Sequence, residues 1–272
     1  MKRIQIALAS VTLLAFAGVP PEPRRLLAFD GEAKALVTGL TPSRPAAVQA
    51  PATSMVDVER ARAYNDRIVS TARRLPPRTS LAELVRLVMQ GTADGATAAG
   101  DVANEHRTAL VVLAVYVNGW KLQAIVPEAR AWPRAERRNV VLRGRHDLSQ
   151  HFMVSAVIAA FAGTPIANAV GLYKEMDDAR SGSGFSFSDL AADRAGTTFG
   201  DMATRSPESA RLLQSRLSAG LTENDMMPEV SGLPEKLSQA EFTRRFGAAA
   251  GPAYNQLVDE IERRVAALAL FQ

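Results

Sequence analysis

The sequence predicts an all-α protein, an irregular bundle of about eight helices around a buried apolar helical hairpin with little or no sheet. Three observations carry this reading. Apolar residues recur at helical spacing after residue 55, as at Leu81, Leu84, Val85 and Val88. Serine caps followed three residues later by glutamate open two of these segments, Ser80-Leu-Ala-Glu83 and Ser238-Gln-Ala-Glu241. The residues with strand character reduce to a short piece at 140–142.

Taken in order, residues 1–17 have the three parts of a secretory signal. Lys2-Arg3 precedes an uncharged run over residues 4–18, and Ala15-Phe16-Ala17 has the small-x-small form of a cleavage site. That run is short of the roughly 20 apolar residues a bilayer span needs. Residues 18–54, rich in Pro, Ala, Arg and Thr, read as a flexible arm. A single helical domain follows over 55–272. Its first helix covers 55–75 and is stopped by Pro76-Pro77. A second covers 81–90, a Gly/Ala/Thr-rich stretch 91–100 separates it from a third at 104–117, and 120–145 is irregular. Ser206-Pro207 caps a helix to 219. Residues 239–246 form another, and Pro252 starts a last amphipathic helix to about 268.

Composition excludes several function classes. The chain of 272 residues has no cysteine, which rules out disulfides, thiolate metal sites, cysteine nucleophiles and a lipid-accepting cysteine. Its formal charge is +4, and two of those positives lie in the leader. Aromatics are only 6% of residues and do not alternate with basic ones, so no nucleic-acid partner is expected.

The dense segment is 146–196. From Phe152 to Tyr173 there are 22 consecutive uncharged residues, interrupted by Gly163-Thr164-Pro165. This break predicts two antiparallel helices buried in the core and argues against one membrane span. A re-entrant membrane hairpin is the alternative. His151 and Ser155 share a face of the first helix, as do Lys174 and Asp178 at the end of the second, with Glu175 beside them. After the turn Arg180-Ser-Gly-Ser-Gly184, which either cradles an anion or simply reverses the chain, Ser188 is expected to cap a third helix. That helix carries Asp189 and Asp193, again four apart. Chain direction returns all three sets to one end of the hairpin. His151, Lys174, Glu175, Asp178 and Asp193 are therefore the candidate catalytic cluster, and Asp178, Asp189 and Asp193 the candidate ligands for a divalent cation. His151 lies near a helix start, where the dipole favours a neutral base or ligand; a structural histidine bonded to Asp189 or Glu175 is the competing reading. His106 and His146 read as surface residues. Gly182-Ser-Gly has no strand before its serine, so it is no hydrolase nucleophile elbow.

The order Asp147…Gln150-His151-Phe152…Ser155-Ala156, then Gly171…Lys174-Glu175…Asp178…Arg180, then Gly182-Ser-Gly-Phe-Ser-Phe-Ser-Asp189…Asp193…Ala195-Gly196 resembles the YfiM family of bacterial outer-membrane lipoproteins. That family shows a His-Phe helix start, a Lys-Glu-x-x-Asp element and a glycine-rich aromatic turn into Asp-x-x-x-Asp. The resemblance places a family core at 146–204 and implies a cell-envelope address. It brings no established reaction, and this chain departs from it in lacking the lipid-accepting cysteine and in its large flanks. Two functions follow as expectations. The first is a periplasmic or outer-membrane-associated hydrolase or transferase acting on a cell-wall or lipid-linked glycan, with Glu175 or Asp178 as acid or base, His151 as partner and Lys174 holding charge. The second is a non-catalytic envelope assembly or binding protein, peripheral to the membrane or partnered by an envelope protein, whose charges form a structural network. Sequencing the N-terminus of protein recovered from its own cells is expected to begin at Gly18; a chain beginning at Met1 would refute export.

Overall fold

The computed structural model describes residues 56–90, 101–181, 184–247 and 251–272. The expected leader, the 18–54 arm, the 91–100 stretch and residues 182–183 of the glycine-rich turn lie outside the described residues. Ten α-helices and one two-stranded sheet are formed among them, an all-helical class.

Helix α1 (Val58–Ala72) is capped by Asp57, which accepts from the Arg60 amide at 2.9 Å. Strand β1 (Arg78–Ser80) follows, and its last residue is also the cap of α2 (Leu81–Met89), Ser80 Oγ accepting from the Ala82 amide. Helix α3 spans Asp101–Asn118. Two single 3-10 turns at Leu122–Ala124 and Pro127–Ala131 occupy the arginine-rich stretch before β2 (Asn139–Val141). The two strands pair in parallel, Arg78 with Asn139 and Ser80 with Val141. The predicted strand is thus displaced by one residue, and its partner β1 was unforeseen because three polar residues carry no alternation to read.

Helices α4 (His146–Ala162) and α5 (Thr164–Ser181) form the hairpin, divided at Gly163, whose φ of +84° suits glycine alone. Helix α6 (Phe187–Thr204) follows. Its cap is Ser186, not the expected Ser188: Ser186 Oγ accepts from the Asp189 amide at 3.1 Å, and Ser188 is buried inside the first turn. Then come α7 (Pro207–Ala219), the single turn α8 (Glu223–Met226), α9 (Gln239–Phe246) and α10 (Pro252–Ala266).

Beyond His151 helix α4 carries no charged residue, and it is buried from Leu148 to Ala160, Val154 and Gln150 being half-buried. Helix α5 is covered on one side only, and Ile166 near its start is 38% exposed. Among the described residues no helix is long and apolar enough to cross a membrane.

Two glycines set the packing of α6 on α4. A Cβ at Gly196 would lie 2.1 Å from the Phe152 carbonyl oxygen, and one at Gly200 would lie 2.1 Å from that of Ala156. Both pairs advance together along the chain, so α4 and α6 run parallel with backbones in contact while α5 returns antiparallel between their ends. Phe152 and Phe199 pack against each other beside the glycines, ring centroids 5.5 Å apart. At the far end of this pair Arg107 of α3 donates to the carbonyls of Ala160 and Thr204, each at 3.1 Å, so one guanidinium closes the last turns of both helices.

His106, one residue away, corrects the surface reading: it is fully buried. Its Nδ1 donates to the Ala203 carbonyl at 2.9 Å and Nε2 lies 3.2 Å from Gln214 Oε1, joining α3 to α6 and α7. His146 is half-buried, with Nδ1 on the Val140 carbonyl at 2.7 Å. Burial pushes the His106 imidazole below its ordinary pKa, only partly offset by the bonds to Ala203 and Gln214.

Two predictions follow from this packing. Alanine exceeds glycine in helix propensity by about 1 kcal/mol. Gly196→Ala and Gly200→Ala are nevertheless expected to destabilise by about 3 kcal/mol, because the obstructing atoms are backbone and cannot rotate away; chemical denaturation reads the sign. Because the His106 pKa is lowered on folding, its neutral form supports stability fully above about pH 6.5, and that support is lost as pH falls below it. The stability difference between the wild type and His106→Asn is expected to be largest near pH 7.5 and to shrink on acidification below 6.5. A difference that grew on acidification would overturn the neutral assignment.

Candidate functional site

The site is built at the end of the hairpin where α4 starts, α5 ends and α6 starts. The chain enters α4 through a tight turn, Leu142 and Arg145 exchanging backbone hydrogen bonds at 2.8 and 2.9 Å. The two residues between them, Arg143 and Gly144, both have positive φ, 51° and 73°. For a non-glycine residue this conformation needs outside support. Arg143 receives it from α8, donating its amide to Glu223 at 2.9 Å and its guanidinium to Asn224 and the Met227 carbonyl. The turn leaves Arg145 as the residue before α4. From there its guanidinium reaches Asp147, Glu235 and, at 3.2 Å, Asp189 Oδ1.

Inside this arginine lies His151. Its Nε2 is 3.5 Å from Asp189 Oδ2, and its Nδ1 is 3.1 Å from Asp193 Oδ1 and 3.9 Å from Glu175 Oε1. Ser155, one turn further along α4, donates to the same Asp193 oxygen at 2.8 Å. Glu175 comes from α5. Its Oε2 accepts from the Ser186 amide at 2.9 Å, at the entry to α6, which turns Oε1 toward His151 and toward Lys174 Nζ at 3.4 Å. Lys174 is held more closely by Asp178, at 2.6 Å across one helical turn. The groups are graded by depth. Glu175 is 0% exposed, Asp193 4% and His151 8%, whereas Lys174 and Asp178 sit at a part-exposed rim.

Burial by itself would push His151 down; the Asp193 carboxylate, with Asp189 behind it, outweighs burial and raises the imidazole to about 9. The sequence-based expectation of a neutral ring, drawn from the helix dipole, is therefore overridden by these closer charges. Burial raises Glu175 to about 7 against the pull of Lys174 and His151. Lys174 is raised as well, burial being outweighed by Glu175 and Asp178, and burial raises Asp189 against the opposing charge of His151.

All five sequence-predicted residues, His151, Lys174, Glu175, Asp178 and Asp193, thus lie in one cluster. The groups close enough to share an ion are His151, Glu175 and Asp193, whose ligand atoms lie within 4.8 Å of one another. Of the expected acidic ligands Asp178, Asp189 and Asp193, only Asp193 belongs to that set. Asp178 is engaged by Lys174, and Asp189 stands on the far side of the imidazole with Arg145.

Sequence reasoning missed four contributors. Arg145 carries no periodic signal, only its place before a helix. Ser186 was passed over for Ser188 as the cap. Gly171 belongs to the motif that carries the YfiM resemblance, but its packing role was not read: a Cβ there would lie 2.9 Å from Asp193 Oδ2, and its absence lets α5 approach α6. Tyr254 of α10 belongs to an aromatic group with Phe185, Phe187 and Phe242 behind Glu175. Burial pushes its hydroxyl up to about 12, and the negative charge of Glu175 contributes.

No family model, curated protein or solved structure matches this chain. The resemblance to the YfiM family therefore rests on the residues quoted for it between 146 and 196.

Proposed function

We propose that the chain is an exported cell-envelope hydrolase or transferase that works by acid/base chemistry on a cell-wall or lipid-linked glycan. Support for the address comes from the signal-like leader and the YfiM resemblance. Support for chemistry comes from one observation above all: the charged cluster is not internally satisfied. Asp193 Oδ2 is buried without a hydrogen-bond partner, and a single ring nitrogen, His151 Nδ1, faces both Asp193 and Glu175. A network kept for stability satisfies its buried groups, since each one left over is costly. Groups held in readiness for a reactant have no such requirement.

In this reading Glu175 is the acid or base and His151 its proton partner. Lys174 and Asp178, at the part-exposed rim, meet the substrate and hold its charge. The second reading, a non-catalytic envelope assembly or binding protein, is favoured by how completely Glu175 is enclosed, with the Ser186 amide bonded to it.

The test is to incubate the full chain with peptidoglycan fragments and lipid-linked glycans and follow released products by mass spectrometry, alongside the melting temperature. Glu175→Gln and His151→Ala are expected to abolish turnover and leave the melting temperature unchanged or higher. Absence of turnover, with each substitution costing about 3–5 kcal/mol as a broken buried ion pair does, would establish the structural reading instead.

A further inference from the structure

We infer that His151 Nδ1, Glu175 Oε1 and the Asp193 carboxylate are the protein ligands of a divalent transition-metal ion, Zn²⁺ or Mn²⁺. Two donors bound to one such ion at about 2.0–2.2 Å lie about 3.0–4.2 Å apart, depending on the angle between them. His151 Nδ1 meets this with both carboxylates, at 3.1 Å to Asp193 Oδ1 and 3.9 Å to Glu175 Oε1. The whole set falls within 4.8 Å, and all three residues are buried.

Three further features distinguish this cluster from a chance gathering of acids. The first is the second nitrogen of the ring. His151 Nε2 is 3.5 Å from Asp189 Oδ2, and Asp189 is in turn fixed by Arg145 at 3.2 Å. A carboxylate behind a histidine places the proton on the rear nitrogen and leaves the front one free to coordinate, an arrangement general among metal-bound histidines. The second is that each carboxylate ligand has its own support. Glu175 Oε2 accepts from the Ser186 amide and Asp193 Oδ1 from Ser155 Oγ, which orients both groups while leaving acceptor capacity. The third is Asp193 Oδ2, buried without a partner on a side chain 6% exposed. It lies beside Gly171, where a methyl group would collide with it. Among the described buried side-chain atoms without a partner this is the one carboxylate oxygen, and a cation would satisfy it.

Lys174 Nζ is held mainly by Asp178, at 2.6 Å, and its bond to Glu175 Oε1 is the longer one at 3.4 Å, so an ion at Oε1 displaces only the weaker of its two contacts. One imidazole with two carboxylates suits Zn²⁺ or Mn²⁺; Ca²⁺ and Mg²⁺ favour oxygen donors throughout.

With an ion bound, His151 Nδ1 and Glu175 Oε1 no longer exchange a proton with each other, so the inference is tested separately from the catalytic reading. Full-length protein is stripped with a chelator and titrated with Zn²⁺ and Mn²⁺ by calorimetry, and the Mn²⁺ form is examined by pulsed EPR. One ion per chain is expected, with the ¹⁴N coupling of a single imidazole, a readout that needs no variant. His151→Gln and Asp193→Asn are expected to weaken binding by about 100-fold or more, and Asp189→Asn by about 10- to 100-fold through the ring it orients. Asp178→Asn is expected to change it little. No bound ion, an ion without nitrogen coupling, or unchanged affinity in a folded His151→Gln variant overturns the inference. Glycan turnover by protein that takes up no ion would sink this inference and spare the catalytic reading; an ion bound without turnover would do the reverse.

Discussion

The backbone contact between α4 and α6 is the constraint on which the rest depends. Gly196 and Gly200 let α6 lie against the carbonyls of Phe152 and Ala156, a separation at which no side chain fits. Side-chain packing alone holds helix axes roughly 8–10 Å apart; glycine at both contact points permits a closer approach. His151 and Ser155 each precede one of the contacted carbonyls by one residue. Asp193 precedes Gly196 by less than a turn. The distances from Asp193 to His151 and Ser155 are therefore consequences of where two backbones touch, and adjusting the side chains cannot lengthen them much.

Such closeness has an electrostatic consequence. Taking charges out of water is unfavourable by several kcal/mol per ion unless partners are near and well aligned. Here the hydrophobic packing of α4, uncharged beyond His151, brings the charges together, and the charges need not attract strongly for the fold to hold. Stability and site are separable on this view. Phe152, Phe199 and the two glycines carry the first, while His151, Glu175 and Asp193 occupy a position the packing imposes. The end of the bundle around Arg107 supports the same division, since there one guanidinium meets only backbone carbonyls and Asn104. The charged groups of the opposite end have no such simple partners.

How much of this was legible in the sequence varies with the range of the interaction. Caps are local, and Ser80, Ser206 and Ser238 were read correctly because a side chain bonding two or three residues ahead leaves its mark in adjacent letters. The hairpin was legible because Gly163-Thr164-Pro165 interrupts an uncharged run. The cluster followed from chain direction, since a helix pair joined by a tight turn returns residue 175 to the level of residue 151. What escaped reading was contact between distant segments. Thr79 pairs with Val140 across 60 intervening residues, and His106 is buried by Ala203 and Gln214, which no periodicity in α3 reveals. The spacing Gly196-x-x-x-Gly200 was the one long-range signal in plain view. Two small residues four apart on a helix face mark close helix approach, and they stand directly after the Asp189–Asp193 pair.

Gly171 extends the same logic to the third helix. It lies less than a turn before Lys174 and faces Asp193 across the gap to α6, where a methyl group would be 2.9 Å from Oδ2. Alanine at this position would press on the carboxylate oxygen that has no partner, so either the Asp193 side chain would turn or the α5–α6 spacing would widen. Widening would carry Glu175 away from His151, because both Lys174 and Glu175 ride on the helix that Gly171 seats. Glycines at 171, 196 and 200 thus act as three contact points that bring α4, α5 and α6 to mutual distances at which one imidazole and two carboxylates face each other. A site preorganised in this way needs little rearrangement to receive an ion or a proton, because the work of holding the groups together was done when the helices packed.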